Sequence, residues 1–90
     1  MKRYRVILSK AATKAIRKLD PSVSRMLVSW IEENLEGCAN PRAFGKGMSG
    51  DRAGQWRYRV GDYRLVAIIQ DETVSIFMLD AGHRSTIYDR

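Results

Sequence analysis

The chain has 90 residues, 44% of them hydrophobic, and these numbers predict a single domain over 1–90 with a modest core. Sixteen basic against ten acidic residues give a net charge of +6, which favours a polyanionic or acidic partner. The single cysteine, Cys38, excludes an internal disulfide, and the first apolar run, Val6–Leu8, is too short for a signal peptide or a membrane span, so we expect a cytoplasmic protein with no membrane partner.

The first half of the chain predicts one strand and two helices. Apolar residues alternate over residues 3–8, which is typical of a β-strand. Ser9 is a suitable N-cap for a short basic helix, and Asp20 followed by Pro21 predicts the start of a second helix. Gly37 is a natural residue to end that helix. The helical spacing of apolar residues assigns its buried face to Val23, Met26, Leu27, Trp30, Ile31 and Leu35.

The second half predicts a long loop and then a three-stranded antiparallel meander. Residues 38–53 are rich in glycine and show no periodicity. Two short polar pairs, Gly61-Asp62 and Asp71-Glu72, have the length of tight hairpin turns. We therefore expect an α+β fold with both helices packed on one face of the sheet. The three predicted strands are Gln55–Val60, Tyr63–Gln70 and Thr73–Asp80.

The turn at Gly61-Asp62 fixes the register of the first hairpin and groups three arginines. With two residues in this turn, Arg59 lies opposite Arg64, and Arg57 shares their face. Like charges placed opposite each other destabilise a sheet, so this arrangement favours an anion bound there. The alternatives are a solvated face whose arginines pair with acids such as Asp62, or a bulge that breaks the cluster. The opposite, core-facing side would carry Trp56, Tyr58, Val60, Tyr63, Leu65, Ala67, Ile69, Val74, Ile76 and Met78.

The same outer face carries an apolar strip that would be unusual if exposed on a small monomer. We expect the C-terminal tail or another protein to cover it. A sheet shielded by the chain's own loops is the alternative. The strip consists of Val66, Ile68, Phe77 and Leu79.

Two sequence features have only weak functional meaning by themselves. The glycines between Gly45 and Gly50 spell G-x-G-x-x-G, but a proline-containing loop precedes them and a strand follows, so a flexible basic loop is favoured over a dinucleotide site.

His83 is the only histidine, which excludes a two-histidine ribonuclease and a serine triad. With one cysteine it makes no recognisable ligand set, so we expect no metal and no cofactor. His83 either acts as an acid or base or is an inert surface residue.

Arg84 and Tyr88 follow the last predicted strand. They are four residues apart, so a helical turn over 84–88 would bring the guanidinium and the phenol together. A basic side chain beside an exposed aromatic ring is typical of single-stranded nucleic-acid binding. The alternative is that Tyr88 packs the tail against the domain.

The chain closely resembles the RelE branch of the RelE/ParE toxin superfamily. The resemblance covers nearly the whole chain and is carried by Gly54–Arg64, Gly82-His83-Arg84 and Ile87-Tyr88. Its specific part is the central block Trp56–Arg64. It implies a RelE-like fold and the toxin of a type II toxin–antitoxin pair. It also implies metal-independent endoribonuclease activity on messenger RNA in the ribosomal A site, and neutralisation by a RelB-like antitoxin.

The resemblance also implies roles for individual residues. Arg64 matches an arginine that stabilises the transition state, Arg84 one that acts on the leaving oxygen, and Tyr88 a tyrosine that stacks on the substrate base. Arg57 and Arg59 stand where well-known members have lysines, and arginine is a poor general base.

The identity of the base is therefore open, with Lys46 or His83 as the fallback. We expect the substrate to be bound by Arg57, Arg59, Lys46 and His83. The expected reaction is attack of the RNA 2′-hydroxyl on the adjacent phosphorus, which leaves a 2′,3′-cyclic phosphate and a 5′-hydroxyl. Two other functions remain as alternatives. One is a ParE-like, non-enzymatic inhibitor of DNA gyrase, and the other is a non-catalytic basic nucleic-acid-binding domain.

Overall fold

The structure is a computed structural model that describes residues 2–83. Its elements follow the predicted order of strand, two helices and antiparallel strands. They are β1 (Arg5–Leu8), α1 (Lys10–Arg17), α2 (Pro21–Asn34), β2 (Lys46–Gly47), a 3₁₀ helix (Gly50–Arg52), β3 (Trp56–Val60), β4 (Tyr63–Gln70) and β5 (Ser75–His83).

The five strands form one mixed sheet in the order β1-β5-β4-β3-β2. β3, β4 and β5 are the predicted antiparallel meander, and β2 adds a short antiparallel strand beside β3. β1 pairs in parallel with β5, so the first and last strands of the described chain are neighbours. The α+β class is confirmed.

The helix starts show how local sequence sets the elements. Ser9 Oγ accepts a hydrogen bond from the Ala12 amide at 3.0 Å, which satisfies one of the free donors at the start of α1. Asp20 is the N-cap of α2 by position, but its side chain makes no capping bond, and Pro21 occupies the first helical turn. Gly37 lies just beyond α2 with a φ of 78°, a conformation that favours glycine.

Both helices pack on one face of the sheet, as predicted. Met26 is an exception to the predicted buried face of α2, because it lies at the margin of the apolar stripe and is 41% exposed. The apolar stripes of the helices meet the inward side chains of β3, β4 and β5 in a single core. Burial of this apolar surface is the main force that holds the layers together. Within the described residues, no helix is long and apolar enough to cross a membrane. The largest fully buried side chains are Tyr58, Leu27, Leu35, Leu65, Ile76, Met78 and Val66.

Four details of the loops and strands differ from the sequence-based expectation. The predicted loop 38–53 contains β2 and the 3₁₀ helix. The predicted two-residue turn after β4 is wrong, because Gln70 pairs with Ser75 and four residues therefore connect these strands. β5 runs on to His83, three residues past its predicted end, and a register shift between Val66 and Ala67 marks a bulge in the β4–β5 ladder.

Candidate nucleic-acid interface

The β3–β4 hairpin has the register that its turn predicts. Val60 pairs with Tyr63 across the Gly61-Asp62 turn, and Arg59 therefore lies opposite Arg64. Gly61 adopts a φ of 60° in this turn, which a side chain would disfavour. The hairpin thus places two guanidinium groups next to each other on the outer face of the sheet.

Lys46 extends this group of cations. It pairs with Arg57 across the β2–β3 ladder, so both side chains belong to the outer face. A cavity of ≈ 300 Å³ is lined by Gly45, Lys46, Arg57, Arg59 and Arg64. We call it the cationic pocket. The structure therefore brings together four of the predicted site residues.

The members of the cationic pocket differ in their exposure. Arg64 is only 4% exposed, whereas Lys46 and Arg59 are exposed and Arg57 is half-buried. One Arg64 nitrogen donates a hydrogen bond to the Tyr63 carbonyl oxygen at 3.2 Å. Charge–charge attraction is stronger where water is excluded. An anion in the pocket would therefore meet one buried guanidinium and other cations that are more exposed to solvent.

Aromatic side chains hold the loop between α2 and β2 in place. The Tyr58 hydroxyl donates a hydrogen bond to the Pro41 carbonyl oxygen at 2.7 Å, and burial raises the pKa of this phenol, so it remains a donor. The Trp56 indole donates to the Phe44 carbonyl oxygen, also at 2.7 Å. The Trp30 and Phe44 rings pack edge to face at 5.7 Å. These contacts fix the loop immediately before Lys46.

An ion pair ties the same loop to the far end of the sheet. Arg42 donates two hydrogen bonds to the Asp71 carboxylate, at 3.1 and 3.0 Å, and the Tyr4 hydroxyl donates a third at 2.7 Å. The Arg42 and Tyr4 hydrogen bonds hold the pKa of Asp71 below its ordinary value. Because the contact is bidentate, it fixes the relative orientation of these two partly exposed side chains better than a single hydrogen bond would.

Gly45 allows the loop to approach β3 closely. Its φ is 76°, and a Cβ atom there would lie inside van der Waals contact of the Arg57 carbonyl oxygen and 2.8 Å from the Trp56 indole nitrogen. Only glycine fits such a position without movement of the backbone. The G-x-G-x-x-G run thus serves a tight crossing over β3. The run leads into the three-residue 3₁₀ helix Gly50–Arg52 and then into β3, and not into the α-helix that a dinucleotide site requires.

The structure does not place His83 in the cationic pocket. His83 lies opposite Tyr63 in the β4–β5 ladder, and the two rings pack edge to face at 5.4 Å. It lines a second cavity, of ≈ 470 Å³, together with Lys14, Lys18 and Arg52, among others. Arg84 and Tyr88, the two other predicted site residues, lie outside the described residues.

The outer apolar strip is less exposed than the sequence suggests. Val66 is fully buried, and Ile68, Phe77 and Leu79 are half-buried. Ile7, which lies beside Phe77 in the β1–β5 ladder, is 47% exposed. The accessible apolar surface on this face is therefore concentrated toward the β1 edge of the sheet.

Similar proteins give this arrangement a family context. The model of the family described as "ParE toxin of type II toxin-antitoxin system, parDE" matches residues 6–88. Toxin RelG of Mycobacterium tuberculosis is 31% identical over 87 residues, which cover 97% of this chain and 98% of RelG.

Solved structures share the fold. A chain of the toxin–antitoxin complex RelBE2 from Mycobacterium tuberculosis superimposes with a TM-score of 0.83 at 29% identity, covering 91% of this chain and 99% of that one. The isolated E. coli RelE toxin gives a TM-score of 0.70 at 27% identity, covering 96% of this chain and 92% of that one. The chain belongs to the RelE/ParE superfamily of toxins from type II toxin–antitoxin systems.

Proposed function

We propose that this toxin is a ribosome-dependent endoribonuclease that cleaves messenger RNA in the ribosomal A site. The observation that supports this most directly is the pairing of Arg59 with Arg64, with Arg57 and Lys46 on the same face. Cations placed side by side repel each other, and an RNA phosphate held between them would relieve that repulsion. The pocket is therefore suited to a phosphodiester that gains negative charge.

In the proposed reaction, the 2′-oxygen attacks the adjacent phosphorus and the P–O5′ bond breaks, which leaves a 2′,3′-cyclic phosphate and a 5′-hydroxyl. The charge that develops on the phosphoryl oxygens meets the guanidinium of Arg64, already fixed in a partly dry site. Preoriented charge of this kind is commonly the largest contribution to catalysis, and loss of one donor costs ~10²–10³ in rate. The reaction needs no metal ion, because side-chain cations supply the charge.

The remaining roles follow the family resemblance and are part of the proposal. Arg57, Arg59 and Lys46 hold the RNA backbone. Arg84 acts on the leaving oxygen, and Tyr88 stacks on the substrate base. The ribosome positions the 2′-hydroxyl and the phosphorus for in-line attack, and such positioning alone contributes up to ~7–11 kcal/mol in ideal intramolecular reactions.

A RelB-like antitoxin is the proposed protein partner. The similar chain from Mycobacterium tuberculosis was solved in a toxin–antitoxin complex. The net charge of +6 favours an acidic partner, and the exposed Ile7 at the sheet edge offers apolar contact area. Expression of the toxin alone should arrest growth, and co-expression of a neighbouring acidic antitoxin gene should restore it. Normal growth at high levels of the folded toxin would contradict this proposal.

A gyrase inhibitor is the second candidate, because the matching family is described by its ParE members. A non-enzymatic inhibitor would not require a cationic pocket that fits a phosphate. One experiment separates the two. Purified toxin is added to ribosomes carrying a defined mRNA, the 5′ ends are mapped, and DNA supercoiling by gyrase is measured in parallel. Ribosome-dependent cuts with unaffected gyrase support the nuclease, whereas gyrase inhibition without cuts supports the alternative.

A further inference from the structure

Removal of the 2′-hydroxyl proton is the step that the arginines of the cationic pocket cannot perform. A general base must have a form that accepts a proton at working pH. Arginine is always protonated in proteins and has no acceptor atom. Arg57, Arg59 and Arg64 can therefore bind and stabilise the phosphate, but they cannot take the proton. This inference rests on the proposed function.

Of the described residues that line the cationic pocket, Lys46 is the only one whose side chain can lose a proton. His83, the other candidate that the sequence offers, lines a different cavity and packs against Tyr63. We infer that Lys46 is the general base of this toxin. It would perform the proton transfer that the two arginines of β3, Arg57 and Arg59, cannot perform.

The position of Lys46 is built into the fold. It pairs with Arg57 on β2, and the preceding Gly45 crosses close to the Arg57 carbonyl oxygen. The hydrogen bond from Trp56 to the Phe44 carbonyl oxygen fixes the chain two residues before Lys46. The lysine therefore projects from an anchored backbone rather than from a free loop, which a base needs in order to be aligned with its proton.

The neutral amine of Lys46 takes the proton of the 2′-hydroxyl, and the 2′-oxygen uses the freed electron pair to form a bond to phosphorus. The P–O5′ bond breaks, and the 5′-oxygen leaves with its electron pair and takes a proton from solvent. The Lys46 ammonium then returns its proton to solvent, so no proton is gained or lost overall. The charged groups that face Lys46 in the described pocket are Arg57, Arg59 and Arg64.

A charge-conserving variant tests the inference. Single-turnover cleavage on saturating, programmed ribosomes is measured between pH 6 and 9 for the wild type and for Lys46→Arg. Because only the neutral amine accepts a proton, the wild-type rate should rise with pH by up to about tenfold per unit. Lys46→Arg keeps the positive charge and should bind ribosomes normally, but its rate should fall by ~10²-fold or more and lose this rise.

Lys10→Arg is the matched control, because Lys10 is an exposed lysine on α1, on the opposite side of the sheet. It should keep both the rate and the pH dependence. A Lys46→Arg variant that retains the wild-type pH slope, whatever its absolute rate, would overturn the inference, because Lys46 would then contribute only charge. A wild-type toxin that cleaves with a flat pH profile would also overturn it. If the wild type cleaves no mRNA at all, the proposed function itself fails.

Discussion

Arg64 lies directly opposite Arg59 in the β3–β4 ladder, yet Arg64 is 4% exposed and Arg59 faces solvent. The two guanidinium groups therefore meet an anion in different surroundings. An exposed charge is screened by water and salt, and a buried one is screened much less. We expect Arg59 to contribute mainly to the capture of RNA and Arg64 mainly to the chemical step.

Arg64→Met should abolish most cleavage while the protein stays folded. Methionine keeps an unbranched apolar side chain in the buried position and removes the charge. The single-turnover rate should fall by ~10²–10³. Arg59→Met, on the opposing strand, should mainly weaken ribosome binding, with a smaller effect on the rate at saturation. Thermal midpoints check folding, and an Arg64→Met variant that cleaves like the wild type would show that this residue has no catalytic role.

Gly45→Ala should destabilise the protein more than Gly50→Ala. Both glycines have a positive φ, so alanine carries a conformational cost of ~1–2 kcal/mol at either position. Only at Gly45 would the new methyl group also collide with the backbone of Arg57, since nothing lies within 4 Å of a Cβ at Gly50. Urea denaturation of the two variants measures the difference. Equal losses would mean that the loop does not cross β3 as closely as described.

Tyr58→Phe should lower the free energy of unfolding by ~1–3 kcal/mol, because it leaves the Pro41 carbonyl oxygen without its 2.7 Å hydrogen bond beneath the loop. The phenyl ring is kept, so packing against Trp30 should be largely preserved. Cleavage should fall as well, since the loop leads directly into Lys46. Thermal denaturation and single-turnover cleavage test the two effects. Unchanged stability would show that the loop does not depend on this bond.

Asp71 should make stability dependent on acid pH. Its pKa in the folded protein is lowered, first by the Arg42 hydrogen bond and then by the Tyr4 hydrogen bond. A lowered folded-state pKa stabilises the protein above the unfolded-state value of about 4, and this contribution is lost as pH falls toward the folded-state value. Asp71→Asn should therefore lower the thermal midpoint at pH 7 and flatten its decline below pH 4.

Asp62→Asn, in the exposed β3–β4 turn, is the control for that experiment. It should leave the midpoint at pH 7 close to that of the wild type. If Asp71→Asn and the wild type lost stability in parallel between pH 5 and 3, Asp71 would not be responsible for the acid sensitivity.

Substitutions at Tyr88 test the stacking role that the family resemblance implies. Tyr88→Phe keeps a ring and should retain most activity. Tyr88→Ala should lose ~1–3 kcal/mol of base stacking, seen as weaker engagement of the ribosome-bound mRNA. Arg84→Ala should instead lower the rate even at saturating ribosomes. Equal inactivity of Tyr88→Phe and Tyr88→Ala would assign the role to the hydroxyl rather than the ring.

Short-range signals predicted the helix pair and the first hairpin. Ser9 and Pro21 favour a helix start through contacts and backbone angles within a single helical turn. The Gly61-Asp62 turn fixes the register of β3 and β4, and the alternation of side chains then follows along both strands. The core-facing side of β3 and β4 was predicted for the same reason, because the period of a strand is two.

Long-range contacts account for what the sequence could not show. Arg42 and Asp71 are separated by 29 positions, and neither has a pattern that points to the other. The turn after β4 has four residues instead of two, and Val74, a branched residue, adopts a φ of 50° in it. Its carbonyl oxygen accepts a hydrogen bond from Arg5, so tertiary contacts outweigh local preference. The burial of Arg64 has no local signal either.

The parallel pairing of β1 with β5 determines when a newly made chain can complete its sheet. The backbone amide of Arg5 donates a hydrogen bond to the Val74 carbonyl oxygen, and the backbone amide of Ser9 donates one to the Met78 carbonyl oxygen. β1 therefore needs a neighbour that is synthesised some seventy residues later. Contacts of such long sequence separation form late in folding. A nascent chain therefore cannot close its sheet until β5 has left the ribosome that makes it.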